Sequence, residues 1–384
     1  MLKNNNNSIR VCILTSVHPL SSVRIFHKQS KSLIKAGYDV ILIIQHDKDE
    51  TIDGIKIIAL PKVTGRVKRI LGIWKVFRLA FSQKAKIYHF HDPELLPVGI
   101  LLKIFTGSKI IYDVHENIKR DIEKKNWLPK GTRKLASIVF QLIEKVGMLF
   151  FSKLIIAEDS YIENYSKYSN VVILRNYPIL PSIEEFPINK NSRPTLIYVG
   201  GISKARGVYE LIDTIKLLKV KYPDILLELV GGIANANLEA MIKEKIRGNN
   251  IEENIHLVGR VDYKDIYSMA FNCHVGMAIL HPIPNYKESL ATKLYEYMAI
   301  NLPIVASNFP MWKEVVEGNK CGLTVNPLNP KEIASAVEYL ISNPEEATQM
   351  GQNGRKAVIE KYNWETESKK LIAIYQELLL THKG

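Results

Sequence analysis

Two glutamates that stand eight residues apart mark the segment of this sequence best suited to binding a sugar. Glu288 and Glu296 occur in the run KESLATKLYEYMA over residues 287–299. Its apolar spacing predicts a helix that contains Glu296, with Glu288 at or just before the start. Carboxylates accept hydrogen bonds from hydroxyl groups, and the unpaired N–H groups at a helix N-terminus suit a diphosphate. Glutamate is also common on solvated helix faces, so the spacing alone leaves both interpretations open.

Polar residues that follow short apolar runs form a second set of candidates. His115 follows one such run, His91 and Asp92 follow another, and His18 lies in the loop expected after the first strand. Ligands of open α/β sheets bind at the carboxyl ends of the strands. We therefore expect all four side chains to be candidates for contact with a ligand. A capping or core role is the alternative for each of them.

Motifs for metal and for other nucleotide chemistry are weak or missing. Asp47 and Asp49 flank Lys48 in a D-x-D pattern, but they lie in a polar stretch beside Glu50 and Asp53. The sequence points to no further oxygen ligands that a metal there would need. No G-x-G-x-x-G follows the first strand and no P-loop occurs, which disfavours a nicotinamide enzyme and a P-loop enzyme. We expect no metal and no cofactor.

Alternating strand and helix patterns are the elements that must position these residues. Short β-rich runs alternate with helical patterns from Arg10 onward, and the alternation restarts at Thr195 after a proline-containing break. Alternation of this kind predicts parallel sheets covered by helices. The sequence therefore predicts two Rossmann-like, doubly wound α/β domains that face a central cleft.

The domain boundaries follow from the same pattern. We expect a first domain over residues 1–176, a linker over 177–194 with four prolines, and a second domain over 195–363. Residues 364–384 are expected to form a C-terminal helix that packs back toward the first domain. At 384 residues the chain has enough material for two cores.

The hydropathy and the cysteine content of the sequence indicate the cellular compartment in which we expect the protein. No apolar run is long enough to cross a bilayer and no leader pattern opens the chain. The three cysteines, Cys12, Cys273 and Cys321, fit neither a disulfide framework nor a zinc site. We expect a cytoplasmic protein.

Positive charge is concentrated in the first half of the chain. The net charge of +13 arises entirely within residues 1–190, which hold 30 Lys and Arg against 17 Asp and Glu. Pro61–Lys86 contains eight of these cations and no carboxylate, with Trp74, Phe77 and Phe81 at helical spacing. The segment predicts docking on the anionic inner face of the cell membrane, with a helix packed on the sheet as the alternative. It has no recognisable nucleic-acid readout module, so we expect no nucleic-acid partner.

Several segments together resemble glycosyltransferase family 4, a retaining family with the GT-B fold. The resemblance covers most of the chain and includes KESLATKLYEYMA over 287–299, YVGGISKARG over 198–207, VGG over 230–232 and PIVAS over 303–307. In the first half, FHDPE over 90–94 and IYDVHE over 111–116 also resemble the family. The set is far more specific than any one of its members.

The resemblance implies roles for matching residues. The first glutamate of the family binds donor-sugar hydroxyls and the second binds the nucleotide ribose, which assigns these roles to Glu288 and Glu296. The basic residue before the first helix of the second domain neutralises the diphosphate, which implies Arg206, and the matching histidine, His115, contacts the donor sugar. An exposed helix-start position is the alternative for Arg206. The implied donor-binding stretches also contain Gly200, Gly201, Ser289, Leu290, Ala291 and Thr292.

Two departures from the family pattern affect the diphosphate. Many members carry arginine where this chain has Gly201, and Gly-Phe-Gly where it has residues 289–291, SLA. The missing cation leaves the diphosphate under-neutralised unless Lys293 supplies the charge. We therefore expect Lys293 to bind the diphosphate, with a solvated lysine on the helix as the alternative.

The resemblance implies transfer of a hexosyl unit from a nucleotide diphosphate sugar to a glycan or lipid-linked acceptor hydroxyl, with retention at the anomeric carbon. Bacterial surface polysaccharide or glycolipid assembly is the expected setting. His115, Glu288, Arg206 and Lys293 are the expected catalytic residues, with stabilisation of the leaving diphosphate as the main effect. A nucleotide-sugar epimerase of the same fold and a catalytically silent scaffold protein are the alternatives.

Overall fold

The computed structural model describes residues 8–62, 66–114, 130–159, 162–186 and 191–380. The chain divides into two compact units. The first consists of Met1–Asn176 with Thr366–Gly384, and the second of Tyr177–Glu365. The C-terminal segment is therefore grouped with the first unit, although the second unit separates the two in sequence.

An eight-stranded sheet forms the centre of the first unit, in the order β3-β4-β2-β1-β5-β6-β7-β8. Every neighbouring pair is parallel except β3 and β4. The strands are β1 Arg10–Pro19, β2 Asp39–Gln45, β3 Glu50–Ile52, β4 Ile55–Leu60, β5 Ile87–Phe90, β6 Lys109–Val114, β7 Lys153–Ile156 and β8 Val171–Ile173. The helices are Val23–Ser30 (a π-helix), Lys31–Lys35, Arg66–Ser82, Leu96–Thr106, Lys130–Phe150, Ile162–Tyr165 and Trp364–Leu380.

A six-stranded, wholly parallel sheet forms the centre of the second unit, in the order β11-β10-β9-β12-β13-β14. Its strands are β9 Thr195–Val199, β10 Leu226–Val230, β11 Ile255–Gly259, β12 Val275–Ala278, β13 Ile304–Ser307 and β14 Gly322–Val325. The α-helices are Val208–Lys219, Ala236–Gly248, Tyr263–Phe271, Pro284–Lys287, Thr292–Met298, Pro310–Val316, Pro330–Ser342 and Pro344–Glu360. The strands are apolar and buried because helices pack on the sheet, as is usual for parallel sheets.

The predicted α/β class with two Rossmann-like units is confirmed. Two strands were missed in the sequence, β3 and β14. The antiparallel β3 pairs with β4 through Asp53 and Gly54, which both have positive φ, and an Asp-Gly pair between short apolar runs is a hairpin signal that could have located it. The four-residue β14 carries no alternation, so its short pattern gave no signal.

The segment predicted as a linker is partly packed. Tyr177, Leu180, Ile183 and Phe186 pack against the core of the second unit. A single 3₁₀ turn, Ile183–Glu185, lies within this stretch. Apolar residues spaced three apart therefore attach its first half to the second unit, although the prolines prevent a longer helix.

Candidate functional site

A pocket of about 250 Å³ in the second unit gathers most of the residues that the sequence predicted for the donor. The predicted residues that line it are Gly200, Arg206, Ser289, Ala291, Thr292, Lys293 and Glu296. Val199, Leu280, Tyr286 and Trp312 complete the lining. The pocket therefore joins the loop after β9 to the segment that enters the helix Thr292–Met298.

The loop after β9 is built around glycines that approach other backbone closely. Gly231 has a φ of 146°, and a Cβ there would lie 1.9 Å from the carbonyl oxygen of Gly200. Gly207 has a φ of 71°, and a Cβ there would lie 2.5 Å from the carbonyl oxygen of Ile279. Only glycine fits these positions, because a side chain would collide with backbone and strain φ. The loop is thereby held against the ends of two neighbouring strands.

Arg206 ends the short 3₁₀ turn Lys204–Arg206. Its Nε donates a hydrogen bond to the hydroxyl of Tyr286 at 3.3 Å. The backbone N–H of His281 donates to the carbonyl of Ala205 at 2.9 Å, which fixes the turn to the segment after β12. These contacts hold the guanidinium at the pocket, where its planar donor set suits phosphate oxygens.

Tyr297 anchors the helix Thr292–Met298 to the sheet. Its hydroxyl accepts a hydrogen bond from the backbone N–H of Val199 at 2.9 Å. Its ring lies so close to Gly276 that a Cβ there would be 2.6 Å from it. Lys293 and Glu296, three residues apart, both line the pocket, because side chains at this spacing share a helix face. The buried Tyr297 thus fixes the orientation of the helix and, with it, the positions of Lys293 and Glu296.

The amine of Lys293 is buried in the pocket wall. Lys293 is only 6% exposed, and its Nζ lies 3.5 Å from the centre of the Tyr198 ring. Burial, together with the nearby positive charge of Arg206, holds the pKa of Lys293 well below its ordinary value, and Glu296 opposes this shift. A solvated lysine, the alternative left open by the sequence, is not what the structure contains.

Lys293 and Arg206 converge on one point above the loop. A Cβ placed on Gly200 would lie 3.3 Å from both Lys293 Nζ and Arg206 Nη1, and one on Gly201 would lie 3.4 Å from Arg206 Nη1. Two basic side chains therefore lie beside Gly201, the position at which many members of glycosyltransferase family 4 carry an arginine. This arrangement can hold a diphosphate or another compact anion.

Glu288 and Leu290 are predicted donor residues that do not line this pocket. Glu288 is exposed and follows the short helix Pro284–Lys287, whereas the next helix begins only at Thr292. The expectation that Glu288 stands at or just before the start of the Glu296 helix is corrected, since extended backbone at Ala291 separates the two helices.

The loop between these helices is nevertheless fixed in place. The indole Nε1 of Trp312 donates to the carbonyl of Ser289 at 2.7 Å, and the Ser289 hydroxyl donates to the carbonyl of Asn285. Leu290 packs against the core of the second unit. Glu288 therefore has a defined backbone position near the pocket.

Two candidates of the first unit, Asp92 and His91, lie in buried polar networks. Asp92 is 2% exposed, and its Oδ2 accepts hydrogen bonds from the Thr15 hydroxyl at 2.7 Å and the Ser16 backbone N–H at 2.5 Å. His18 Nε2 lies 3.4 Å from Asp92 Oδ1. Asp92 thus holds the end of β1, which favours a positioning role for its carboxylate. Ligand contacts of Asp92 and His18 stay predictions.

His91 is likewise buried, at 1% exposure, and its ring stacks on that of His89 with centroids 4.7 Å apart. His91 Nδ1 and His89 Nε2 each lie 3.6 Å from Asp113 Oδ2. Asp113 also accepts hydrogen bonds from Arg24 and Gln29. A contact between His91 and a ligand stays a prediction that its burial does not favour.

Potential metal ligands do occur in this network. His89, His91 and Asp113 bring ligand atoms within 4.8 Å of one another. However, the carboxylate of Asp113 is already paired with the Arg24 guanidinium at 3.0 Å. A cation here would face the arginine charge, so these residues fit a neutralised buried ion pair better than a metal site. The D-x-D stretch lies between β2 and β3, and its Asp49 accepts a hydrogen bond from the backbone N–H of Ala59 in β4.

His115 lies outside the described residues, so its predicted contact with the donor sugar stays a prediction. Three aromatic residues of the site were not predicted from the sequence. Tyr198 contacts Lys293, Tyr286 contacts Arg206, and Trp312 holds the loop at Ser289. Tyr198 directly precedes the segment Val199-Gly200-Gly201, which could have indicated it. Tyr286 and Trp312 carry no comparable sequence signal.

Comparison with known proteins relates the segment that contains the pocket to glycosyltransferases. Residues 182–357, which contain the whole pocket, match the family model described as glycosyl transferases group 1.

Among curated relatives, the spore coat protein SA of Bacillus subtilis is 23% identical over 49% of this chain and 50% of its own length. The MMP alpha-(1->4)-mannosyltransferase of Mycolicibacterium hassiacum is 23% identical over 75% of this chain and 70% of its own. The capsular polysaccharide biosynthesis glycosyltransferase CapM of Staphylococcus aureus is 25% identical over 49% and 47%. The chain thus spans about half the length of several curated relatives it matches.

Solved structures show the same fold over nearly the whole chain. A sucrose-phosphate synthase from Thermosynechococcus elongatus has a TM-score of 0.74 at 18% identity, covering 98% of this chain and all of its own. Anabaena HepE in complex with UDP-glucose has a TM-score of 0.71 at 12% identity, covering 96% of this chain and all of its own. The protein therefore has the GT-B type of α/β fold, as the sequence resemblance predicted.

Proposed function

We propose that the protein is a glycosyltransferase that uses a nucleotide diphosphate sugar as donor and an acceptor hydroxyl as the second substrate. One observation carries the proposal. Arg206 and Lys293 converge beside Gly200 in a pocket that also contains Glu296, within the segment that matches the glycosyl transferases group 1 model. Two cations next to one carboxylate suit a ligand that combines a diphosphate with hydroxyl groups.

The residues would divide the donor between them. Arg206 and Lys293 would bind the diphosphate, and Glu296 would accept hydrogen bonds from the ribose hydroxyls. Glu288 and His115 would contact the donor sugar. Anabaena HepE, which shares the fold, was solved with UDP-glucose, and this supports a nucleotide sugar as the ligand class.

The reaction would transfer a hexosyl unit with retention at the anomeric carbon. The bond from that carbon to the diphosphate oxygen breaks, and the bond to the acceptor oxygen forms on the same face. The acceptor proton passes to a diphosphate oxygen, so no protein nucleophile is required. Arg206 and Lys293 would stabilise the charge that develops on the leaving diphosphate, which is the type of preorganised electrostatic effect that often dominates catalysis. This chemistry needs no metal ion.

We also propose that the acceptor is a glycan or lipid-linked sugar of a bacterial surface polymer. CapM, a relative, is named for capsular polysaccharide biosynthesis. Peripheral docking of a cytoplasmic protein on the membrane through residues 61–86 would bring the site to a lipid-linked acceptor. The helix Arg66–Ser82 exposes Trp74 at 58% and Phe81 at 45%, with the exposed cations Lys75 and Arg78 beside them. Among the described helices, none is long and apolar enough to span a bilayer.

Nucleotide release from a panel of nucleotide sugars tests the function. Release that requires an added glycan or glycolipid acceptor, and that Arg206→Ala abolishes, is the expected result. Conversion of the donor without any acceptor would instead support an epimerase. Donor binding without turnover would support a silent scaffold, and failure of every nucleotide sugar to bind would overturn the proposal.

A further inference from the structure

The amine of Lys293 is buried without a hydrogen-bond acceptor. Among the residues that the structure describes, Nζ has no hydrogen-bond partner, and the side chain is 6% exposed. It lies against the face of the Tyr198 ring, 3.5 Å from the ring centre, and lines the pocket. A buried ammonium ion without an acceptor is costly, and a lysine in this position tends to lose its proton instead.

The nearby charges act on the amine in opposite directions. Arg206 approaches from the 3₁₀ turn and repels a second positive charge, while Glu296 on the helix of Lys293 attracts it. The phenol of Tyr198 in β9 also faces the amine, and Tyr286 in the short helix Pro284–Lys287 lines the same pocket, where its hydroxyl accepts from Arg206. Burial and Arg206 outweigh Glu296, so the pKa of Lys293 lies well below its ordinary value in the empty pocket.

A bound diphosphate would reverse this balance. Its oxygens would offer the acceptor that Nζ lacks, and its two negative charges would outweigh the charge of Arg206. A nearby negative charge and a hydrogen bond to the charged form both favour an ammonium ion. The same side chain would therefore hold different numbers of protons in the empty and occupied pocket.

We propose that donor binding takes up one proton at Lys293, so that the pocket gains its second positive charge only when the diphosphate arrives. The proposal rests on the proposed function, because it assumes a diphosphate donor. The face of the Tyr198 ring, which itself attracts an ammonium ion, stands where a carboxylate would hold the positive charge far more strongly. Because the amine of Lys293 is uncharged in the empty pocket, it does not repel the positive charge of Arg206.

Binding should therefore depend on pH in a defined direction. Between the pKa of Lys293 in the empty pocket and its higher value in the complex, the affinity should fall as pH rises. One proton corresponds to a decrease of up to about tenfold per pH unit, since each unit of pKa is worth 1.36 kcal/mol. UDP-glucose is a suitable probe because both of its phosphates are diesters, which do not titrate near neutral pH.

Titration calorimetry of the full chain in MOPS and in Tris at one pH measures the protons exchanged, because the two buffers differ in ionisation enthalpy. We expect wild type to take up close to one proton per UDP-glucose bound. Lys293→Arg, which is charged at every pH used, and Lys293→Gln, which is never charged, should take up far less. Lys216→Gln, at an exposed lysine of the same unit, should behave as wild type.

Each outcome decides between the hypotheses. Binding by wild type without proton uptake overturns the inference and leaves the proposed function intact, and this result needs no variant to fold. Equal uptake in Lys293→Gln also overturns it, since another group would then be titrating. If neither UDP-glucose nor any other nucleotide sugar of the panel binds, the proposed function fails and the inference fails with it.

Discussion

At the scale of single residues, the pocket is defined by two basic side chains and one carboxylate that reach it from different segments. Arg206 reaches it from a 3₁₀ turn, and Lys293 and Glu296 reach it from one face of a short helix. The two basic residues contact different kinds of group. Arg206 donates to a tyrosine hydroxyl, whereas the Lys293 amine lies against a ring. The two basic residues therefore should not respond alike to substitution.

Substitution of Arg206 by alanine and of Glu296 by glutamine should each weaken donor binding without unfolding the protein. Each change removes polar contacts to the ligand that contribute on the order of 1–3 kcal/mol, with the higher values for charged partners. A calorimetric titration with UDP-glucose measures the effect, with Lys216→Gln as the matched control. Unchanged affinity in both variants would refute the assignment of this pocket to the donor.

Replacement of Lys293 by methionine should stabilise the ligand-free protein near neutral pH. The folded-state pKa of Lys293 is depressed, so the unfolded chain binds more protons and the lysine costs free energy below its unfolded pKa of about 10.4. The advantage of the variant should shrink as pH rises toward that value. Denaturant unfolding at about pH 7 and about pH 9.5 measures the difference. A difference that does not change with pH would contradict the depressed pKa.

At the scale of elements, the helix Thr292–Met298 depends on close packing against the sheet. Its Tyr297 ring covers Gly276 in β12, and its hydroxyl bonds the backbone of β9. A seven-residue helix has little stability of its own, so this packing must hold it in place. The position of the candidate residues is therefore decided by a contact between elements.

Gly276→Ala should disturb both stability and donor binding. The added Cβ would lie 2.6 Å from the Tyr297 ring and force it outward, and overpacking of this kind costs about 1–3 kcal/mol. Gly248→Ala is the matched control, since a Cβ there meets no atom within 4 Å. Unfolding curves and UDP-glucose titrations of both variants provide the test. Equal behaviour of the two would show that the Tyr297 contact does not position the helix.

The exposed side chains of the helix Arg66–Ser82 lead us to predict that the protein binds anionic membranes. The Phe77 ring lies 6.2 Å from the exposed Phe105 at the end of Leu96–Thr106, which extends the apolar surface beyond Trp74. Each Lys or Arg near an anionic leaflet contributes about 1 kcal/mol, and salt screens this attraction within about 8 Å. We expect co-sedimentation with anionic vesicles at low salt that decreases as salt rises.

Two variants and one control sharpen that experiment. Changing Lys75 and Arg78 to glutamine should reduce binding chiefly at low salt, and changing Trp74 and Phe105 to serine should reduce it at every salt concentration. Val220→Gln removes an even more exposed apolar residue from the second unit and should have no effect. If wild type and all variants sediment equally, the segment is a structural helix only.

At the scale of the whole molecule, two α/β units divide the candidate residues. The second unit contains the pocket with Arg206, Lys293 and Glu296, and the first contains the buried network around Asp113. Under the proposed function, Arg206 and Lys293 would supply the positive charge that a metal ion would otherwise bring to the diphosphate. This division leads to a prediction about metal dependence.

Activity should survive complete chelation of divalent ions. The diphosphate charge would be met by Arg206 and by a protonated Lys293, so no metal is required for leaving-group stabilisation. Rates of nucleotide release with and without chelator should agree within the error of the assay. Loss of activity in chelator that magnesium or manganese restores would contradict the mechanism.

The sequence by itself determined the fold class, because alternating strand and helix patterns are local and strong enough to specify two Rossmann-like units. It also located the stretches 198–207 and 287–299, because glycines, cations and carboxylates are conspicuous in short runs. It could not determine which side chains are buried. Asp92 appeared suited to a ligand, but its partners Thr15 and Ser16 lie more than 70 residues away in the chain.

Only the tertiary structure decided that Lys293 and Arg206 meet. The two residues are far apart in sequence, and they converge because β9 pairs with β12, a strand order that no local pattern encodes. The same order buries the Lys293 amine against Tyr198. Burial and the approach of a second cation depend on which strands are neighbours, so the altered protonation of Lys293 is a property of the fold and not of the motif.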